Sequence, residues 1–317
     1  MHRICKTLAR GAGRRSGMTL TEVLLGLAVF LTGSVSIVSL FVTAGVLHAE
    51  ASNRRTAAFI AEELIAEAQD VRFSEVFAKT DLNQPTASAG DGSFDVQTTQ
   101  AEMDYPSANF DLYPIRHNFF PLQAEQEDTR TEGPFLIGSD LIYYSRRLAN
   151  RFATCDHVAG PGGSYVQGDP ILQPRTWFYV LDADIDHDDD TVLVNGNPQG
   201  LPDGSDAGAP VPGYIVVDEE WMRYDARSAT SFTISDANND GKFDRGVGGT
   251  AAVAHKAGTP VTVAREHPFY PGFYYTVQFY PTNARGTSAR MIVSVAYATG
   301  NMFRAWTFQG AYTPRSR

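Results

Sequence analysis

The feature that most constrains this chain is the apolar run from Val23 to Leu47. It holds 25 consecutive positions with no charged residue and no proline. A bilayer core needs about 20 apolar residues in helical form, so the run is long enough to span one. The basic residues Arg14 and Arg15 precede it, and Ser16 and Gly17 come next. One acid, Glu22, stands at the edge of the run. A charge at the bilayer centre costs roughly 2.5 kcal/mol or more, so an acid placed here is a functional candidate. Positive charge before the helix and none within it predicts a cytoplasmic amino terminus.

The segment Gly17-Met18-Thr19-Leu20-Thr21-Glu22-Val23-Leu24 resembles the processing site of type IV prepilins and type II secretion pseudopilins. The resemblance covers about residues 1–80. It implies cleavage after Gly17 by a prepilin peptidase, which then methylates the new amino terminus at Met18. Met18 stands where phenylalanine is commoner in the family. Glu22 matches the acid at the fifth mature position and implies a role in assembly. In a filament its carboxylate could meet the Met18 amine of a neighbouring subunit, relieving two desolvation penalties and fixing axial register. The implied partners are that peptidase, other pilin or pseudopilin subunits and inner-membrane lipid. The implied location is the bacterial inner membrane, single-pass with a periplasmic head, and then a pilus or pseudopilus. The alternative is an uncleaved signal anchor whose Glu22 snorkels to the interface, carrying an adhesin or ligand-binding head. A secretory signal fits less well, because its cut comes after the apolar run.

The leader, residues 1–17, holds Arg3, Lys6, Arg10, Arg14 and Arg15 and no acid. Losing these five charges takes the formal net charge from −10 to −15. An acidic head argues against nucleic-acid binding through phosphate contacts. Of the two cysteines, Cys5 lies in the leader and Cys155 in the head. Cleavage would leave Cys155 alone, so the sequence predicts no internal disulfide and reads Cys155 as a buried small hydrophobe.

Beyond Leu47 the pattern stays helical and becomes amphipathic, with Phe59, Ile60, Leu64, Ala68 and Val71 at helical spacing. No proline occurs before Pro85. The sequence therefore predicts one helix from Met18 to about Phe77, roughly 90 Å long. Residues 20–47 would span the membrane and 48–79 would be amphipathic. Residues 80–317 read as a β-rich head. Residues 83–92 read as a loop, and Ser93–Thr99 as a strand. Strand patterns also appear at 136–137, 141–144, 177–181, 191–194, 214–217, 220–224, 231–234 and 260–264. Three long aromatic and β-branched segments, 273–280, 290–298 and 302–309, predict an antiparallel meander. The fold class expected is α+β, a long amino-terminal transmembrane helix packed on an antiparallel β-rich head, with an accessory β module over about 170–265.

Within that module, Glu220, Met222 and Tyr224, then Arg245-Gly246, Gly249-Thr250 and His255 are similar to a small β-rich module of phage structural and surface proteins. The resemblance implies packing or adhesion and no catalysis. Nearby, Asp236, Asn238, Asp240 and Asp244, with Gly241 between them, have the opening spacing of a calcium loop. The twelfth position is Val247 instead of the bidentate glutamate, so another carboxylate would have to complete the site. Asp182, Asp184, Asp186, Asp188 and Asp190 alternate and read first as a solvated acidic loop, with Asp182, Asp184, Asp186 and Asp188 as a second, weaker calcium candidate. The adjacent acids Glu219 and Glu220 would point to opposite faces of a strand. The chain has no His-Glu-x-x-His and no Gly-x-Ser-x-Gly, and the reading is of a structural protein rather than an enzyme.

Overall fold

The computed structural model describes residues 19–70, 76–97, 132–148, 150–174, 179–195, 211–236, 243–282, 288–299 and 302–312. Gly17, Met18, the proline-rich stretch before Glu132, and Asn238 and Asp240 lie outside them. The chain divides after Asn53 into two compact units. Residues 54–70 therefore group with the β-rich part of the chain rather than with the apolar run.

Helix α1, Leu20–Asp70, is 51 residues long. Over Leu20–Leu47 its large apolar side chains are exposed, from Val23 at 48% to Leu20 at 77%. Among the described residues it is the one helix long and apolar enough to cross a membrane. Residues 71–75 lie outside the described residues, and Val76 is again helical, next to the helix end expected at about Phe77. Phe77 opens a strand, pairing with Pro174, and its side chain is fully buried. Cross-strand pairing and burial decide its state over a local preference.

Among its described residues the second unit holds three main antiparallel layers and one two-stranded sheet. The first is a six-stranded sheet of order β1-β8-β4-β5-β6-β3. Its strands are β1 (Phe77–Asp81), β3 (Ser93–Asp95), β4 (Gly133–Ile137), β5 (Asp140–Leu148), β6 (Arg151–Ala159) and β8 (Pro170–Pro174). The loop expected over 83–92 contains a short strand, β2 (Thr86–Ser88), paired with β7 (Ser164–Val166). Phe94, Phe135, Tyr144 and Phe152 fill this layer's core together with Cys155. Burial pushes the Cys155 thiol up to about 12, with the nearby Asp156 carboxylate acting in the same direction. It is a packing residue and not a nucleophile.

The second layer is a closed six-stranded barrel of cyclic order β10-β13-β12-β11-β14-β9. It comprises β9 (Tyr179–Leu181), β10 (Thr191–Asn195), β11 (Gly213–Val217), β12 (Glu220–Arg227), β13 (Ser231–Ile234) and β14 (Pro260–Val263). Alternate residues point inward, so Val192, Val194, Ile215, Val217, Met222, Tyr224, Phe232 and Ile234 form one core. Closure leaves this sheet without an open edge.

The third layer is the meander β15 (Arg265–Glu266), β16 (Phe273–Pro281), β17 (Ala289–Thr299) and β18 (Met302–Tyr312). Its β17–β18 register runs unbroken from Ala289↔Tyr312 to Thr299↔Met302. Its Tyr275, Val277, Phe279, Met291, Val293, Val295 and Tyr312 share a buried cluster with Ala57, Ile60, Ala61, Leu64 and Ala68. Those five recur at helical spacing and form one stripe. Phe59, expected in that stripe, is 53% exposed and meets the Tyr270 ring edge-on at 6.2 Å.

Barrel and meander meet at a second cluster, where Trp221 and Val216 lie with Tyr214, Phe303 and Ala296. The contact depends on Gly248, whose φ is +76°. A Cβ there would sit 2.6 Å from Phe303 Cδ1 and 2.9 Å from the Ala305 nitrogen. Only glycine allows both the backbone angle and the approach.

Candidate functional site

The start of α1 is built by its own residues. The Thr19 N–H donates to Glu22 Oε2 at 2.9 Å, and the Thr19 hydroxyl donates to the same oxygen at 3.1 Å. The Glu22 N–H donates back to Thr19 Oγ1 at 3.3 Å. This is a reciprocal capping box, which satisfies backbone donors that the first helical turn leaves open. It also sets a carboxylate against the positive end of the helix dipole. Glu22 thus has a local structural task at the point where the exposed apolar surface begins. Gly17 and Met18, the predicted processing pair, lie outside the described residues.

The second constellation centres on Glu220, the first residue of β12. Its carboxylate is almost wholly buried and receives five hydrogen bonds. Arg245 supplies two, Nε to Oε1 and Nη2 to Oε2, both at 3.0 Å. The N–H groups of Gly246 and Val253 each donate at 3.0 Å, and His255 Nε2 lies 2.9 Å away. The other His255 nitrogen, Nδ1, faces Asp218 Oδ2 at 3.0 Å. An imidazole with a carboxylate on both nitrogens donates from both, which requires the charged form. Burial alone would lower the His255 pKa, but the hydrogen bonds to Asp218 and Glu220 outweigh it and raise the group to about 9. Burial likewise works to raise the Glu220 pKa, and the bonds from His255 and Arg245 bring it below the ordinary range.

This arrangement ties three loops together at one end of the barrel. Arg245 also donates to the carbonyls of Val253, at 2.7 Å, and of Asp186. Gly246 takes the left-handed turn that the Arg-Gly step needs, with φ +60°. Thr250 Oγ1 accepts the Trp221 N–H at 3.2 Å and donates to the Val247 carbonyl at 2.8 Å. A cleft of about 500 Å³ lies beside it, lined by Asp218, Glu219, Glu220, Thr250, His255 and Thr307. Glu219 lies in the turn between β11 and β12 rather than in a strand, and it accepts a bond from Gln309 at 3.0 Å.

The predicted calcium ligands separate into groups. Asp182 accepts from Asn195 at 2.9 Å. Asp184 takes Lys256 Nζ at 2.6 Å and the Ala257 N–H at 2.9 Å. Asp186 and Asp188 come together with His187, all three exposed, their ligand atoms within 4.8 Å. His187 Nδ1 already contacts Asp186 Oδ1 at 2.8 Å. The four alternating acids therefore do not converge on one point. Calcium requires six to eight oxygens, and two carboxylates with an imidazole fit it poorly. In the other loop, the Asp244 N–H donates to the Ser235 carbonyl at 2.6 Å, which brings the two ends of 236–244 together. Asn238 and Asp240 of that loop lie outside the described residues.

One buried acid carried no sequence signal. Asp140 accepts from the N–H groups of Gly162 and Gly163, both at 2.8 Å, from the Tyr165 hydroxyl, and contacts His157 at 3.0 Å. These bonds outweigh burial and draw its carboxyl down to about 2. Its partners are 17 to 25 residues away in sequence, so no local spacing marks it. It fastens the Gly160–Ser164 loop to β5. Comparisons with protein-family models, with curated proteins and with solved structures return no match to this chain.

Proposed function

We propose that the chain is a prepilin-type structural subunit, processed after Gly17 and assembled through its amino-terminal helix into a type IV pilus or a type II secretion pseudopilus. The observation that carries this reading is the continuous succession of basic leader, Gly17, Met18 and Glu22 leading into a helix whose apolar side chains are exposed from Leu20 to Leu47. An apolar surface of that extent seeks either lipid or other helices. The capping box at Thr19 and Glu22 supports a fixed helix start close behind the cut. In the filament, Glu22 would exchange part of that local bonding for the Met18 amine of a neighbour. The helix then serves as a spine, and residues 54–70 carry the β-rich head on it. The size of that head favours a minor or tip-associated subunit over the repeating shaft subunit.

Intact mass and amino-terminal sequencing of membrane-derived protein test the reading. The expected product begins at N-methylated Met18, and Gly17→Ala should block its formation and keep the chain out of filaments. A product beginning at Met1 would favour the uncleaved anchor. Glu22→Ala should still be cut but assemble poorly, and normal incorporation would remove the register role. A subsidiary proposal is calcium at 236–244, held by Asp236, Asn238, Asp240 and Asp244. Chelation should then lower the melting temperature of the head, and Asp240→Ala should abolish that response.

A further inference from the structure

Between β15 and β16 the chain makes a short loop, His267-Pro-Phe-Tyr-Pro-Gly272, that sets aromatic groups beside α1. Phe269 is 80% exposed, and Tyr270 meets Phe59 of the helix edge-on. His267 lies beneath the loop with only 5% of its surface exposed. Its ring sits 5.0 Å from the Tyr270 ring, 5.7 Å from that of Tyr275 and 6.1 Å from that of Phe269. The backbone N–H of Phe269 donates to His267 Nδ1 at 3.2 Å. A backbone N–H can only donate, so Nδ1 must be unprotonated and the neutral ring carries its hydrogen on Nε2.

We infer that His267 is a pH-dependent latch, whose neutral ring holds the Phe269–Tyr270 loop against Phe59 of α1 and whose protonated ring releases it. A proton on Nδ1 would turn the acceptor into a donor and point it at the Phe269 N–H. The loop would lose that bond to the ring and face a buried charge. The charged and titratable groups around the ring come from every element packed there. Glu63 approaches from α1, Arg265 and Glu266 belong to β15, and Tyr275 belongs to β16 with Glu67 of the helix nearby. Glu266 is engaged by the Gly272 N–H at 2.8 Å. Burial holds His267 below the ordinary imidazole range, and Glu63 partly opposes that. The latch is therefore closed above pH 6.5 and opens on acidification.

Hydrogen exchange by mass spectrometry on the full chain in detergent reads this directly. After correction for intrinsic rates, the peptide carrying Phe269 to Phe273 should exchange faster at pH 5 than at pH 8 by about tenfold, the scale of one lost hydrogen bond. His267→Gln keeps an acceptor without a titrating ring and should remove the difference. Glu63→Gln takes away the carboxylate that favours the imidazolium, and should move the loosening to lower pH without touching the ring. Equal protection at pH 5 and 8 would overturn the latch. So would an undiminished pH response in His267→Gln, or an unmoved midpoint in Glu63→Gln.

Discussion

The Glu220–Arg245–His255 centre at the end of the barrel and the cluster beneath the meander are both buried, yet they are held in opposite ways. At the barrel end, Glu220, Arg245, His255 and Asp218 neutralise one another through a closed set of bonds. In the meander cluster, Ile60, Leu64 and Ala68 meet Val277, Phe279 and Val293 with no charge among them. The first arrangement fails as a unit, because removing one of its three buried members leaves the other two charged or dry, while Asp218 stays half-exposed. The second weakens gradually, by the volume that is lost. Depth of burial alone does not say how a site will respond to change.

The sharpest way to break the comparison is Glu220→Ala. It strands Arg245 and His255, and should cost about 3–5 kcal/mol, read as a lowered urea midpoint of the full chain. A loss below about 1 kcal/mol would mean that the cluster re-pairs, since surviving bonds would then offset the missing one. Leu64→Ala should cost roughly 3 kcal/mol, through transfer and cavity terms. The loss should appear as faster exchange in β16 and β17, with the barrel strands unaffected. Spread of the effect into β11 and β12 would show that the two regions unfold together. Gly246→Ala forces an unfavourable left-handed angle and meets the Ala252 nitrogen at 2.6 Å. About 1–3 kcal/mol should be lost, and Gly246→Asn, which tolerates that angle better, should lose less.

The smallest effect expected is a pair of opposite pH slopes. His255 is raised to about 9 from 6.5, so its contribution is complete below pH 6.5 and is lost as pH rises through about 9. His267 is lowered from 6.5, so its contribution is complete above pH 6.5 and is lost as pH falls. Region-resolved exchange between pH 5 and 10 should therefore loosen the meander side at the acid end and the barrel end at the alkaline one. Parallel slopes in the two regions would contradict both assignments.

Much of the architecture is legible in the chain, and the failures have local causes. The strands β16 to β18 are long, aromatic and β-branched, and their alternation survives without a bulge. β6 is harder to read, because Thr154 takes a left-handed angle, φ 52°, and interrupts the alternation. β8 begins and ends on proline, Pro170 and Pro174, which disguises it as a loop. Glu220, Arg245 and His255 are legible as candidates in the chain, although their purpose emerges only from five bonds spanning 25 to 35 residues. Asp140 and His267 have no such signal, since their partners are brought to them by the fold. The alternating acids take different partners for the same reason. Spacing places them together, whereas Lys256 and Asn195 draw Asp184 and Asp182 elsewhere.

In the barrel, β9 and β14 are neighbours, with Val180 opposite Pro260 and Tyr179 opposite Val261. The chain thus leaves this layer beside the place where it came in. A segment with adjoining ends behaves as a cassette, which tolerates excision or exchange better than one whose ends lie far apart. The stretch from β9 to β14 is one contiguous piece of coding sequence, flanked by strands of two other sheets. Recombination within this single interval would exchange the barrel while leaving the residues that pack around Leu64 and Val293 unchanged.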